Sequence, residues 1–275
     1  MDARAELAGL RAEVAAGRLI PYLGPDLLGL DADPPVPAGA RELALKLGAK
    51  VAVPGRFKNN LWHSAQYIES HRHRMTLDRL LAAEFAATPD PGPLQRWLAG
   101  LGVPLVVDTW YDGALTAAFA GRPDWGQLQG ASKARRTDVA PWVRAFRPDG
   151  AECDPVEAAG WGTVVYKPHG AGWPQADMLA SDSDYVEVLT ELDIQTPIPD
   201  AVKDRRQGKG FLLIGCRFWD QILRNFARSV MKHSGGPRFA VVPDELTRNE
   251  IRFLEAEGIR PLAVPLAEAV ALLTT

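Results

Sequence analysis

Apolar runs of strand length alternate with amphipathic helical patterns along most of this 275-residue chain, and polar clusters stand where several of the runs stop. Those two observations predict an α/β fold, a Rossmann-like doubly wound parallel sheet covered by helices on both faces. A third, the unbroken helical pattern from Asn60 to about Leu98, adds an inserted helical block. The expected organisation is a single α/β domain over 1–275, with the helical insertion at about 55–100 and an irregular insertion at about 121–160.

Leu7, Leu10 and Val14 recur at helical spacing, with Arg4, Glu6, Arg11 and Glu13 on other faces, and Gly17 is placed to end this first helix. Leu19 to Leu23 follows as a strand. Gly24 to Gly39, holding Pro34, Pro35 and Pro37, reads as loop, and Arg41 to Leu47 as a helix. In the helical block the apolar positions are Leu61, Ala65 and Ile68, then Leu77, Leu80, Leu81 and Phe85, then Leu94 and Trp97. Val103 to Val107 is continuously apolar, as a strand buried on both faces should be. From Gly121 to Gly160 glycine, proline and charge interrupt every period, leaving Trp125, Trp142 and the apolar piece Val143 to Phe146 as anchors. Beyond come a strand at Thr163 to Tyr166, a helix around Asp184 to Leu192, and a strand at Phe211 to Ile214. A helix at Asp220 to Lys232, a strand at Phe239 to Val242, a helix at Thr247 to Glu257, a strand at Ile259 to Val264 and a helix at Leu266 to Leu273 complete the alternation.

Hydrophobic and charged fractions of 47% and 24% are those of an ordinary folded protein, so disordered and fibrous classes drop out. A net charge of -3 supplies no electrostatic drive toward nucleic acid, and the basic group Lys133, Arg135 and Arg136 reads as a solvated loop. Cys153 and Cys216 are far apart and lack metal-ligand spacing, so no disulfide framework and no metal site is expected. The first residues carry charge rather than a signal-type apolar core, and no stretch reaches the length of a membrane span, so cytoplasmic residence without membrane contact is the expectation.

Strand carboxyl ends share one edge of an open parallel sheet, so the polar clusters that follow the strands should converge on one crevice. The first is Gly24-Pro25-Asp26. Nucleotide-binding folds use glycines here so that backbone N–H groups can approach a phosphate, but Pro25 removes a donor and Asp26 adds a carboxylate. Facing a phosphate at about 4 Å, that carboxylate would repel it by about 4 kcal/mol, against the ~0.3 to 1 kcal/mol that a helix amino end offers an anion. Read alone, the motif favours a tight structural turn. The second cluster is Asp108-Thr109-Trp110-Tyr111-Asp112. Asp112 before Gly113 reads as a cap for a helix at Ala114 to Phe119, and Trp110 either stacks on a ligand ring or fills a core gap. In the third, His169 alone of the five histidines follows a strand and precedes a glycine, Gly170, an arrangement that exposes an imidazole able to act as acid or base. In the fourth, Gly215 closes a strand, Arg217 offers a phosphate ligand and Asp220 a helix N-cap.

Taken in order, the four clusters resemble the sirtuin-like superfamily, in particular the divergent bacterial sirtuin-like domains of NAD-consuming defence systems. Their signatures, G-A-G-x-S, T-x-N-x-D, H-G and G-x-S-x-x-D, fall on Gly24 to Leu28, Asp108 to Asp112, His169-Gly170 and Gly215 to Asp220. The segment Met178 to Tyr185 is similar to the acidic-tyrosine stretch that follows H-G in these domains. The resemblance implies NAD or an ADP-ribose-type ligand, no metal, a catalytic role for His169, and nucleotide contacts from Gly24, Asp26, Trp110, Asp112, Gly170, Gly215, Arg217 and Asp220. It also implies a reaction, cleavage of the bond between nicotinamide and ribose. Here the family's second glycine is Asp26, its serines are Leu28 and Arg217, and its catalytic asparagine is Trp110. Losing one positioned polar group costs about 10²- to 10³-fold in rate, so NAD glycohydrolase activity should be weak or lost. The Cys-x-x-Cys zinc module of protein-deacylating sirtuins is missing, which argues against deacylation. Two alternatives stay open: a catalytically dead domain acting through a protein partner or a second copy of itself, and a nucleoside-processing hydrolase in which Asp26, Asp108 and Asp112 do acid-base work.

Overall fold

The computed structural model of the protein describes residues 2–132, 142–186, 198–243 and 245–275. Its strands are β1 (Leu19–Leu23), β2 (Leu105–Asp108), β3 (Trp125–Gly130), β4 (Val143–Phe146), β5 (Glu152–Cys153), β6 (Thr163–Lys167), β7 (Gly170–Ala171), β8 (Asp177–Met178), β9 (Gly210–Ile214), β10 (Arg238–Val242) and β11 (Ile259–Ala263). Nine of them form one sheet in the order β11-β10-β9-β1-β2-β6-β3-β4-β5, and β7 pairs with β8 in a separate hairpin. From β11 to β3 every pairing is parallel; β4 and β5 extend that edge antiparallel. This is the α/β, Rossmann-like sheet that the alternating pattern predicts.

Period-two alternation decides which side chains meet which layer. Leu19 and Leu23 of β1, with Val106, Val165 and Leu212, pack under the helices Ala3–Ala15, Pro93–Leu101 and Leu266–Thr274. Ile20 and Tyr22, with Val107, Tyr166 and Leu213, pack under the helices Asp200–Arg206, Gln221–Met231 and Arg248–Ala256. Each fully buried aliphatic side chain contributes about 1.5 to 3 kcal/mol, so the two faces carry most of the fold's stability. A third core lies beyond the end of β2, where the helices Ala40–Lys50, Leu61–Arg72 and Arg74–Glu84 gather Leu43, Leu47, Ile68, Leu77 and Leu81 around Trp110 and Tyr111.

That third core redraws the helical block. Pro93–Leu101, which the period assigns to it, belongs to a sheet-covering layer, whereas Ala40–Lys50 from before it joins the cluster. The block is also divided at His73, which takes φ 67 and ψ 152 between two helices, a backbone conformation that non-glycine residues rarely adopt. The irregular stretch from Gly121 to Gly160 carries β3, β4, β5 and a 3-10 turn, Pro155–Gly160. Lys133, Arg135 and Arg136 lie outside the described residues, as does the expected helix beyond residue 186; residues 182–186 are helical.

β1 occupies the topological switch point, with β2 on one side and β9 on the other. A crevice opens there at the strand carboxyl ends.

Candidate functional site

The crevice is a cavity of about 620 Å³, within the size range of small-molecule sites. Pro25 and Asp26 after β1, Thr109 to Tyr111 after β2, His169 after β6 and Cys216 to Trp219 after β9 line it. The remaining wall comes from Ala38 to Glu42, from Leu45, Leu61 and Trp62 of the helical cluster, and from Tyr22, Tyr185 and Leu223.

His169 sits at the end of the short link from β6 into the hairpin β7–β8. Gly170 takes φ 83, and a Cβ there would lie 2.0 Å from the Asp177 carbonyl, so only glycine lets the chain fold back. The return strand donates Leu179 N–H to the His169 carbonyl at 2.9 Å. It then enters the turn held by Asp184, whose carboxylate accepts Arg74 at 2.7 Å, Ser132 Oγ at 2.5 Å and the N–H groups of Ala180 and Ser181 at 3.0 Å each. Tyr185 is thereby delivered to the imidazole, with its Oη 3.1 Å from Nδ1. Tyr185 donates its only proton to the Leu179 carbonyl at 2.8 Å, beside a 2.6 Å bond from Tyr111 Oη to the same oxygen. With that proton on the Leu179 carbonyl the phenol oxygen accepts, the arrangement that puts the imidazole proton on Nδ1. Nε2 is left as a lone-pair acceptor: buried, without a protein partner, on a residue that lines the cavity. The ring is 2% exposed and packs against Phe226 at 4.4 Å between centroids. Burial drives its pKa down to about 3, so the imidazole is neutral across the physiological range.

Below the cavity, Lys167 Nζ donates to Asp108 Oδ2 at 2.6 Å, both groups being buried. Burial pushes the Asp108 carboxyl up toward about 6, with Lys167 and the Trp110 N–H pulling the other way. The pair ties the ends of β2 and β6 together, and the Trp110 backbone is fixed by the same carboxylate. The Trp110 indole is turned away from any catalytic posture: Nε1 donates to the Pro37 carbonyl at 2.7 Å and the ring packs edge-on to Phe85.

At the other end, Arg217 forks onto Glu250 through Nε at 2.7 Å and Nη2 at 2.9 Å. Glu250 also accepts Phe218 N–H, Thr247 N–H and Thr247 Oγ1. Burial alone would raise this carboxyl, but those donors outweigh it and hold it at about 2. Burial likewise raises the Asp26 carboxyl, Arg217 lowering and Glu250 raising it further. The Cys216 thiol is pushed up by burial as well, and lies 3.5 Å from the Tyr22 carbonyl.

His169, Asp26, Trp110 and Arg217 thus share the cavity. Gly24 and Gly215 stand just behind it at the ends of β1 and β9; a Cβ on Gly24 would lie 2.2 Å from the Gly215 carbonyl. Gly170 acts through the hairpin. Asp112 does not line the cavity: it precedes the N-cap Gly113 and accepts Ala114 N–H at 2.8 Å at the start of the helix Ala114–Ala118. Asp220 caps the helix Gln221–Met231 by accepting Ile222 N–H at 2.8 Å and faces a smaller recess with His63 and Asp182. Arg41 and Trp62 enter from outside the strand-end clusters and no motif points to them; Trp219 lies within the Gly215 to Asp220 cluster and Tyr185 at the end of the Met178 to Tyr185 segment, without a role read for either. Among the described residues no cluster of three or more metal-ligating side chains occurs, and no helix is long and apolar enough to cross a membrane.

A parallel sheet with a crevice at its switch point, walled by strand-end loops and an accessory helical layer, defines a Rossmann-like α/β protein. Residues 104–262 match the SIR2-like domain model, more than half of the chain, and the protein belongs to that family. No curated protein matches the chain. The match runs from the start of β2 to β11, so the turn after β1 lies outside it.

Proposed function

We propose that the cavity binds NAD or an ADP-ribose-type nucleotide, and that cleavage of the nicotinamide–ribose bond is weak or absent in this chain. The observation that carries the reading is His169 Nε2, buried and unpartnered, on a residue that lines a cavity of nucleotide-compatible size. A buried acceptor without a partner costs about 1 to 3 kcal/mol, which a ribose hydroxyl donating to Nε2 would recover. NAD, when bound, supplies the scissile bond; the chain supplies His169 to orient the sugar and Asp26 as a second acceptor.

Two features support binding without efficient turnover. A base works best with a pKa near the operating pH, and His169 lies near 3, so it accepts a hydrogen bond far more readily than a proton. The family's asparagine position holds Trp110, whose single donor is spent on Pro37. The three-carboxylate alternative loses support because Asp108 is paired with Lys167 and Asp112 accepts Ala114 N–H at a helix start, leaving Asp26 as the one member that lines the cavity.

Calorimetric titration with NAD and ADP-ribose tests the binding, with His169→Ala and His169→Gln as controls. Binding that the histidine variants weaken by about tenfold or more supports the reading; no heat from the parent with either ligand rejects it. Nicotinamide release that is fast in the parent and lost in His169→Gln would overturn the inactivity half.

A further inference from the structure

We infer that the ligand enters with its anionic group at the Arg41 corner of the cavity, against the open amino end of the helix Ala40–Lys50, and with its hydroxyl-bearing part against Asp26 and His169. This orientation rests on the nucleotide reading above and narrows it to a ligand carrying a phosphate at one end and a sugar diol at the other.

The turn after β1 cannot serve as the anion cradle. Gly24 N–H is taken by the Ile214 carbonyl at 2.9 Å, Asp26 N–H by the Gly215 carbonyl at 3.1 Å and Leu27 N–H by the Gly24 carbonyl at 3.4 Å; Pro25 has none. Asp26 then presents a carboxylate to the cavity with no hydrogen bond or ion pair among the described residues. Its nearest source of positive charge, Arg217, is clamped bidentately by Glu250. A phosphate placed at this turn meets the Asp26 carboxylate and none of the turn's own N–H donors, whereas a sugar diol meets acceptors among the cavity residues, Asp26 and His169.

The opposite lip has the reverse character. Gly39 begins the helix Ala40–Lys50 with no side-chain cap, and the first helical bond is Leu43 N–H to the Gly39 carbonyl at 3.0 Å. The N–H groups of Ala40, Arg41 and Glu42 have no acceptor among the described residues, and all three residues line the cavity. Such a helix end presents aligned donors and a partial positive charge to an anion. Arg41 adds a full charge: of the two arginines lining the cavity it is the exposed one, and it has no acidic partner among the described residues. The neighbouring Glu42 is engaged, accepting Ala38 N–H at 2.9 Å with Lys46 at 3.5 Å. Ala38, Gly39 and Ala40 are small enough for a phosphate to approach the backbone. The unpartnered Nε2 of His169 is an independent sign that this same cavity is built for a ligand.

The test is calorimetric titration of the full chain, Arg41→Gln and Asp26→Asn with ADP-ribose, adenosine and inorganic pyrophosphate at low and moderate salt. Arg41→Gln should weaken ADP-ribose and pyrophosphate by about tenfold, as loss of a charge-assisted bond predicts, and leave adenosine unchanged. Asp26→Asn should weaken adenosine and leave pyrophosphate unchanged or tighter. ADP-ribose binding that Arg41→Gln does not alter overturns the orientation while the nucleotide reading survives. Arg41-dependent binding of pyrophosphate without binding of ADP-ribose keeps the anion corner and removes the nucleotide reading. Silence with every probe removes both.

Discussion

Tyr185→Phe isolates the bond that sets the chemistry of His169, because it deletes one oxygen and leaves the ring in place. In the parent that oxygen accepts His169 Nδ1–H at 3.1 Å and donates to the Leu179 carbonyl at 2.8 Å. The Leu179 oxygen keeps its 2.6 Å bond from Tyr111, so only the Nδ1–H is orphaned. One buried unsatisfied donor costs about 1 to 3 kcal/mol, equivalent to a fall in melting temperature of about 2 to 5 °C for a chain of this length. The imidazole can escape that cost by moving its proton to Nε2, which turns that acceptor into a donor. Long-range ¹H–¹⁵N spectra of imidazole-labelled protein, with the His169 signals identified by their loss in His169→Gln, report the tautomer without any ligand. The expected pattern is Nδ1–H in the parent and Nε2–H in Tyr185→Phe. A parent spectrum showing Nε2–H, or a variant with unchanged tautomer and unchanged melting, would refute the relay.

The same histidine makes the fold acid-sensitive. Its folded pKa near 3 lies below the ordinary 6.5 of the unfolded chain, so it withdraws no stability above pH 6.5 and progressively more as pH falls toward 3. From neutrality to pH 4.5 that amounts to about 2 to 3 kcal/mol, and urea melts of His169→Gln should be flatter than those of the parent by this amount. Glu250→Gln breaks the fork to Arg217 and should cost about 1.5 to 3 kcal/mol. It also releases Arg217 as a second cation in the cavity, so pyrophosphate should bind more tightly in the titration even as the urea midpoint drops. Gly24→Ala drives a methyl group into the Gly215 carbonyl and Cys216; overpacking of this kind costs about 1 to 3 kcal/mol, and an unchanged denaturation midpoint would contradict the close approach of β1 and β9.

What the sequence discloses depends on whether a segment buries apolar groups with a regular period. Leu19 to Leu23 and Val103 to Val107 are almost purely apolar, and both became central strands. Pro21 is tolerated at such a site because Gly24 N–H bonds toward β9, which places the missing donor of Pro21 on the β2 side, where pairing begins only at Tyr22. β3 is the opposite case. Its Gln127 and Gln129 are fully buried yet polar, the Gln127 amide N–H groups donating to Gln129 and to the Trp173 carbonyl and the Gln129 amide donating to the Gln175 carbonyl, while Gln127 Oε1 has no partner among the described residues, so no alternation announces a strand. At the site, the strand-end residues His169, Asp26, Trp110 and Arg217 were legible because sheet topology alone brings carboxyl ends together. Arg41 and Trp62 were not, since their approach depends on how the accessory helices fold back over the sheet, and Tyr185 gave only a weak cue in its acidic surroundings. Asp112 and Asp220 show the converse: a carboxylate before a helix satisfies the backbone first.

Three indoles, Trp62, Trp110 and Trp219, border the cavity, with Trp62 and Trp219 separated by 5.6 Å between ring centroids and Trp219 reaching the surface. Any aromatic guest must pass within contact of chromophores that differ in wetness, one sealed behind Pro37 and another open to solvent. The molecule therefore carries its own optical gauge: occupancy can be followed as quenching and a wavelength change in native emission, with no dye attached and no substitution made.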